Sequence, residues 1–380
     1  MHIQSISYTD RGWDLPGSPA QPALVCFFGG HRPEEATAHY EALRAHYPQA
    51  DIIGCTTAGE IRGLEVTDHQ AVALLIRWEQ AHATCASLVC AQAADAYQAG
   101  VSLARTLPAD GLRMVFVISD GHIVNGSELV KGLRETLPVS VPVSGGLAGD
   151  GGAFVQTGVV FNGPATPGRI VAVGLYGSSL RFGFGSRGGW NAFGPVRRIT
   201  RSTANILYEL DGRPALELYK IYLGEEVDQL PQSALRFPIM IYPPGSQVDG
   251  KGTVRTILSI DEAAQSLIFA GDVPQGSMAQ LMMASFEDLI DGAESAAGMI
   301  APQPTAPEYQ RLAILVSCVG RKIVMGHRIE DEVEAVASIL PPDTAIAGFY
   351  SYGEIAPHFE TGTCELHNQT MTITYLTEHC

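Results

Sequence analysis

Two glutamates of this 380-residue sequence stand at matching places in two similar stretches. The first stretch is IGCTTAGEI at 53–61, and the second is AGFYSYGEI at 347–355. Each begins as an apolar strand and continues into a glycine-rich turn that ends in Glu-Ile. A carboxylate placed there accepts hydrogen bonds from a ligand amine, or from the backbone N–H groups of its own turn. Both roles stay open for Glu60 and Glu354.

An arginine follows the strand that precedes each stretch. Arg32 comes shortly after the apolar segment 23–28, and Arg321 after segment 312–317. Since a guanidinium binds a carboxylate through two parallel hydrogen bonds, we predict that these arginines hold a ligand carboxylate. The turn glycines are explained by positive φ or close backbone approach, although their N–H groups also suit an anion. The turn residues predicted to contact the ligand are Thr57, Gly59 and Gly353.

The elements that would position these residues form three strand–loop–helix–strand units. The middle unit has an apolar strand at 114–119, a helix around 127–133 and the glycine-rich loop GGLAGDGG at 145–152. Asp150 is interpreted as the counterpart of Glu60 and Glu354, and it is predicted to be a ligand-binding residue. Equivalent loops of α/β units meet at one edge of the sheets, where ligands usually bind.

We therefore predict a mixed α/β (α+β) fold of tandem domains, built from these repeated units with mixed sheets. The glycine- and aromatic-rich segment 177–195 is the natural boundary, which gives domains 1–195 and 196–380. A long helix is predicted to begin at a Ser277 cap.

Composition excludes several classes of function. The net charge is −16, so nucleic acid and anionic membrane surfaces are poor partners. Neither a signal peptide nor an apolar run long enough to cross a membrane occurs, and we expect a cytoplasmic protein. The seven cysteines are scattered without a C-x-x-C pair, which favours free buried thiols.

Six motifs in order resemble a protein with tandem FIST N-terminal and C-terminal domains, over nearly the whole chain. They are GCTTAGEI at 54–61, GGLAGD at 145–150, ALELYK at 215–220, SCVGR at 317–321, GFYSYGEI at 348–355 and HNQT at 367–370. The resemblance implies a bacterial or archaeal signal-input module that binds small ligands such as amino acids. Stand-alone members include NosP-like proteins, which are similar to haem-based nitric oxide sensors that regulate a partner histidine kinase.

The chain leaves no residues for an output domain, so we expect its signal to pass to a kinase or another signalling protein in trans, with an oligomer possible. Any haem b would be non-covalent and histidine-ligated, since Cys-Pro and C-x-x-C-H are absent. His122 follows a strand end and His367 lies in HNQT, and these are the axial candidates. For His367, the role of a hydrogen-bonded structural histidine is the favoured interpretation. Tyr352 is predicted to line the pocket and Phe349 to fill the core.

The leading hypothesis is a haem-based nitric oxide sensor, and the first alternative is an amino-acid sensor without haem. A second alternative is an enzyme with Cys55 or Cys318 as nucleophile. Because G-x-S-x-G, Walker A and H-E-x-x-H motifs are absent, we do not expect an enzyme.

Overall fold

The computed structural model describes residues 1–16, 21–230, 232–248, 252–300, 310–358 and 362–379. Over these residues the chain forms a mixed α/β fold with four sheets, which confirms the predicted fold class. Three of the sheets repeat one plan, in which two parallel strands connected through a helix lie beside two antiparallel strands. We call these units the first, second and third repeats.

The first repeat occupies residues 1–77. Its parallel pair is β3 and β4, and β7 and β1 continue the sheet in antiparallel fashion. Strands β3 and β7 are almost continuously apolar because both of their faces are covered. The elements are β1 His2–Thr9, β2 Gly12–Trp13, β3 Leu24–Gly29, α1 Pro33–His46, β4 Asp51–Cys55, β5 Glu60–Arg62, β6 Glu65–Thr67 and β7 Ala71–Arg77.

The second repeat occupies residues 82–176 and has the same strand order, with β9 and β10 as its parallel pair. Asn125 caps its connecting helix by accepting a hydrogen bond from the Glu128 backbone at 3.1 Å. The elements are β8 His82–Val89, α2 Ala96–Thr106, β9 Leu112–Ser119, α3 Gly126–Thr136, β10 Val143–Leu147, β11 Val159–Phe161 and β12 Arg169–Tyr176.

The third repeat begins with β13 Leu180–Arg187 and resumes at residue 311, after an inserted antiparallel sheet with its own apolar core. The inserted elements are β14 Asn191–Thr203, β15 Ile206–Leu210, β16 Arg213–Pro214, α4 Ala215–Leu223, β17 Ile239–Tyr242, β18 Thr253–Arg255, β19 Ile257–Asp261, β20 Ser266–Phe269 and β21 Met278–Met283. Helix α5, Phe286–Gly298, follows. The remaining elements are β22 Arg311–Cys318, α6 Val319–Met325, α7 Ile329–Ile339, β23 Thr344–Ser351, β24 Gly353–Pro357, β25 Cys364–His367 and β26 Met371–Glu378.

Two sequence predictions fall in or beside the inserted sheet. The helix predicted from Ser277 is wrong in its start, because 278–283 forms β21 and the cap of α5 is Ser285, whose hydroxyl accepts from the Asp288 backbone at 3.1 Å. The proposed boundary at residue 195 lies inside the span of β14, and the division into two domains stays a prediction.

The three repeats exchange strands in a closed ring. The first repeat gives β5 to the sheet of the third, where it pairs with β23. The third gives β24 to β10 of the second, and the second gives β11 to β4 of the first. Each sheet is thus completed by a neighbouring repeat.

The register of the exchanged strands identifies equivalent residues. Gly348 pairs with Ile61, Gly145 with Ile355, and Gly54 with Val160. The residue before each of these donated residues is also equivalent. It is Glu60 in the strand donated by the first repeat, Glu354 in that of the third and Val159 in that of the second. Asp150 is therefore not the structural counterpart of the two glutamates. The sequence comparison was wrong here because 11 residues separate β10 from β11, whereas the corresponding turns are far shorter.

The inner faces of the three sheets share one apolar core. Phe28 of the first repeat stacks on Phe349 of the third with ring centroids 4.7 Å apart, and Phe116 of the second joins them. Within the described residues, no helix is long and apolar enough to span a membrane.

Candidate functional site

The glycine-rich loops of the three repeats meet, as the sequence predicted. The backbone N–H groups of Gly149 and Gly151 donate to the carbonyls of Thr56 and Thr57 at 3.0 Å. The N–H of Ala58 donates to the Tyr350 carbonyl at 2.8 Å. Main-chain hydrogen bonds thus fix the relative positions of loops that are far apart in sequence.

Beside this junction lies a cleft of about 1100 Å³, which we call the Lys322 cleft. All three repeats contribute to its walls, and it carries charged side chains of both signs. The first repeat supplies His31–Glu35, Ala58, Val66, Asp68 and His69; the second supplies Asp150, Gly151, Ala153, Val155 and Gln156; the third supplies Val319, Lys322, Ile323, Gly326 and Ile329.

Lys322 is the main cation of the cleft wall. Its Nζ donates to the Ala58 carbonyl at 2.8 Å and forms an ion pair with Asp68, and 16% of the side chain is exposed. Gly59 makes room for it, because a Cβ at residue 59 would lie 2.4 Å from Nζ. The backbone of Gly59 also has φ +135°, which glycine tolerates better than other residues.

Two histidines lie beside this ion pair. The rings of His31 and His69 have centroids 4.1 Å apart, and His31 Nε2 is 3.9 Å from Asp68 Oδ1. Burial, reinforced by His69, lowers the pKa of His31, which disfavours its protonated form. Its Nε2 is buried without a hydrogen-bond partner in the part of the chain described. His69 has φ +61°, a strained backbone conformation of the kind found at binding sites.

Two of the predicted ligand residues line this cleft. Arg32 is at its rim with 72% of its side chain exposed, and its Nη2 pairs with Glu35 Oε1 at 2.7 Å. Asp150 is buried in the wall. Its carboxylate accepts from the N–H groups of Phe154, Val155 and Gln156 at 2.7–2.8 Å, and from the Tyr352 hydroxyl. Asp150 thus fixes the loop that follows it.

The two glutamates that suggested the site are buried, and each accepts hydrogen bonds from its own turn and from a neighbouring segment. Glu60 accepts from the Thr57 hydroxyl at 2.5 Å and from the Gln70 N–H at 3.3 Å. Glu354 accepts from the Ser351 hydroxyl at 2.8 Å and the Thr370 hydroxyl at 2.9 Å. Burial raises their pKa values to about 7 and about 8. Neither carboxylate, nor Thr57, lines the cleft, so the structure favours the structural role over the ligand role.

Arg321 is likewise turned into the protein and not toward a ligand. Its guanidinium is fully buried and pairs with Glu332 Oε2 at 2.7 Å and 2.9 Å, while donating to the carbonyls of Gly188 and Leu289. The prediction of a carboxylate clamp at Arg321 is corrected by these contacts, which use its donors internally. The cation that reaches the cleft from helix α6 is its neighbour, Lys322.

Tyr352 lines a second cleft, of about 440 Å³, between the second repeat and the inserted sheet. We call it the Phe154 cleft, because Phe154 stacks on Tyr352 with centroids 4.5 Å apart. Its walls are Ala93, Gly121–Asn125, Leu147, Phe154 and Tyr352, and its roof is Asn205, Leu258, Ser259 and Ile268–Gly271. Phe349 is in the core, as expected, and Gly353 pairs with Leu147 within a sheet.

The two histidines predicted as haem ligands lie at different places. His122 is an exposed residue at the Phe154 cleft. His367 is buried, its Nε2 lies 3.1 Å from the Ala356 carbonyl, and burial lowers its pKa to about 4. Among the described residues, no group of three or more histidine, cysteine or acidic side chains is arranged to hold a metal ion.

The cysteines considered as nucleophiles are buried. Cys55 and Cys318 are free thiols, and burial raises the pKa of each, which disfavours the reactive thiolate. The six cysteines of the described part are all unpaired, and Cys380 lies outside the described residues.

Comparison with known proteins identifies the family. The FIST N domain model matches residues 23–213, and the FIST C domain model matches residues 215–357. An uncharacterized protein of Methanocaldococcus jannaschii is 23% identical over 348 residues, which cover 83% of this chain and 66% of that protein. The chain thus spans slightly less than two thirds of that relative's length. The crystal structure of a cyanuric acid hydrolase from A. caulinodans aligns with 79% of this chain and all of that one, at 10% identity and a TM-score of 0.18.

Proposed function

Because the chain belongs to the FIST family, whose N and C domains are sensory domains, we propose that it is a signal-input protein. Its ligand is a small zwitterion, such as a free amino acid, bound in the Lys322 cleft. The observation that carries this proposal is the ion pair between Lys322 and Asp68 in the cleft wall.

A zwitterion suits this pair better than an anion or a cation alone. Its carboxylate would take the place of Asp68 beside Lys322, and its ammonium would take the place of Lys322 beside Asp68. Both side chains keep a charged partner, so the largely buried Lys322 ammonium is not left unpaired, and the half-exposed Asp68 also keeps a cation beside it. A ligand with one charge satisfies only one of the two side chains.

The position of the cleft supports a sensory role. Its walls belong to three repeats. A ligand that contacts all three would therefore change the relative stability of the different positions that the repeats can take. We propose that this change is recognised by a signalling protein in trans, such as a histidine kinase. The corresponding test is whether the ligand alters the autophosphorylation rate of the kinase when the two proteins are mixed.

The binding test is calorimetry with the twenty amino acids, each compared with the matching amine and carboxylate. We expect Lys322→Met to weaken binding roughly ten- to hundredfold, the effect of losing a hydrogen bond to a charged group. Asp68→Asn is expected to weaken binding similarly. Lys131→Met is the matched control, since Lys131 lies on α3 beside Glu128 and away from the cleft. Equal affinity in Lys322→Met and Lys131→Met would contradict the proposal.

Haem remains the second candidate, and the residues present fit it less well. The Nε2 of His367 is already close to a carbonyl oxygen, and the Phe154 cleft beside His122 has neither lysine nor arginine among its described lining residues. Haem propionates would therefore lack a cationic partner there. An absorption spectrum after haem titration decides this point: a Soret band that shifts with nitric oxide and is lost in His122→Ala would favour haem over the zwitterion.

A further inference from the structure

The Phe154 cleft has its own chemistry, distinct from that of the Lys322 cleft. We propose that it is a second binding site, for a neutral planar aromatic molecule. Its volume of about 440 Å³ falls in the range of small-molecule pockets. This proposal does not depend on the ligand of the Lys322 cleft.

The lining disfavours a charged ligand. Among the residues described at this cleft, none is aspartate, glutamate, lysine or arginine, whereas six such residues line the Lys322 cleft. The amide nitrogens of Asn125 and Asn205 each donate one hydrogen bond within the protein, to Asp272 Oδ1 at 3.1 Å and to the Phe269 carbonyl at 2.7 Å. A charged molecule would lose its hydration here without gaining a partner of opposite charge.

The aromatic preference comes from the ring pair. Phe154 and Tyr352 are stacked with an interplanar angle of 14°, and the half-buried Phe154 ring lines the cleft. Apolar side chains of Ile123, Leu147 and Ile268 complete the walls. A flat aromatic ligand gains both apolar burial and an offset stacking contact in such a slot.

The backbone around Phe154 is strained in a way that keeps this ring in place. Phe154 has φ +54°, which is uncommon for a bulky residue. Its N–H donates to Asp150 Oδ1 at 2.8 Å, and the next two N–H groups donate to Oδ2 of the same carboxylate. Strain held by so many hydrogen bonds is typical of a functional position.

The same loop separates the two clefts. Ala153 and Val155 line the Lys322 cleft, and Phe154 between them lines the second cleft. The two sites are therefore back to back, and variants at Phe154 leave the charged residues of the first site in place.

The test uses indole as the probe, with saturation-transfer NMR and a titration of the full chain. We expect Phe154→Gly to weaken indole binding at least tenfold; the change removes the ring and suits the positive φ, so the fold is retained. We expect Leu258→Trp, at a roof residue 40% exposed, to fill the cleft and weaken binding similarly. Leu64→Trp, at a residue 50% exposed outside the cleft, is the matched control and is expected to leave binding unchanged.

A charged analogue completes the experiment. Indole-3-acetate adds a carboxylate to the same ring system and is expected to bind at least tenfold more weakly than indole. The proposal is overturned if the wild-type chain does not bind indole at millimolar concentration. It is equally overturned if Phe154→Gly binds indole as the wild type does, or if Leu64→Trp weakens binding as much as Leu258→Trp.

Discussion

Replacing Arg321 by methionine tests whether this arginine stabilises the fold or binds a ligand carboxylate. The guanidinium is fully buried where helices α5, α6 and α7 meet the segment after β13. It pairs with Glu332 and donates to the carbonyls of Gly188, at 2.6 Å, and Leu289, at 2.8 Å. The other carboxylate oxygen of Glu332 accepts from the hydroxyls of Ser317 and Tyr350. Methionine has nearly the same length but none of these donors.

The expected cost follows from what Arg321→Met leaves behind. Glu332 would remain fully buried without its cation, and breaking a buried pair by removing one partner costs about 3–5 kcal/mol. Two carbonyls also lose a donor, which adds to the cost. Since a folded domain is stable by only about 5–15 kcal/mol, the variant should be close to the limit of folding.

The assay is guanidinium chloride unfolding followed by circular dichroism, with Arg328→Met as control. Arg328 is on the surface of the same region, where it pairs with Glu287 and Asp331, and its loss should leave the midpoint nearly unchanged. The double variant Arg321→Met with Glu332→Leu should recover part of the stability, because no unpaired charge is then buried. A midpoint for Arg321→Met equal to that of Arg328→Met would refute the reasoning.

Three further predictions concern the turns and the thiols. Gly348→Ala should destabilise the fold by about 1–3 kcal/mol or more in denaturant unfolding, because the new Cβ would lie 1.8 Å from the Leu315 carbonyl oxygen. The control Gly298→Ala, whose Cβ would lie in open space, should not destabilise it. Glu354 has a pKa raised to about 8, so its contribution to stability is greatest below its unfolded value near pH 4.5 and is lost as pH rises through 8. Glu354→Gln should therefore lose less stability than the wild type between pH 5 and 8, and an equal loss would contradict the assignment. The buried thiols of Cys55 and Cys318 should react with Ellman's reagent only after unfolding. The measurement uses a Cys85→Ser/Cys380→Ser background, because Cys85 is only partly buried and Cys380 lies outside the described residues; rapid reaction of this native chain, lost in Cys55→Ser or Cys318→Ser, would reopen the enzyme hypothesis.

Much of the fold was predictable because it depends on local patterns. Apolar runs and glycine-rich turns predict the repeated strand–loop–helix–strand pattern. This pattern correctly indicated that three loops meet. The strand exchange was not predictable in this way. Short strands such as Glu60–Arg62 carry no sequence signal that distinguishes pairing within a repeat from pairing with another repeat.

The site residues were harder to predict than the loops that hold them. The sequence favoured Arg321, whereas the structure turns its side chain inward and presents Lys322 to the cleft. Neighbouring side chains on a helix point about 100° apart. The adjacent residues Arg321 and Lys322 therefore already indicated that one of the two would face outward. Asp68 and His69 had no such signal, because their approach to Lys322 requires contacts between residues more than 250 positions apart.

The register of the exchanged strands shows that two repeats have a glutamate where the second repeat has Val159. Glu60 is the first residue of the donated strand β5, and Glu354 is the second residue of β24. Each accepts a hydrogen bond from a hydroxyl of the short turn before it, Thr57 or Ser351, and so fixes that turn. In the second repeat the donated strand starts after a longer loop, and Val159 needs no carboxylate. Asp150 instead accepts backbone hydrogen bonds that fix this longer loop, and residues of the loop line both clefts. Because residues of this loop line both clefts, we predict that Asp150→Asn weakens the two proposed ligands together, as measured by amino-acid calorimetry and the indole titration.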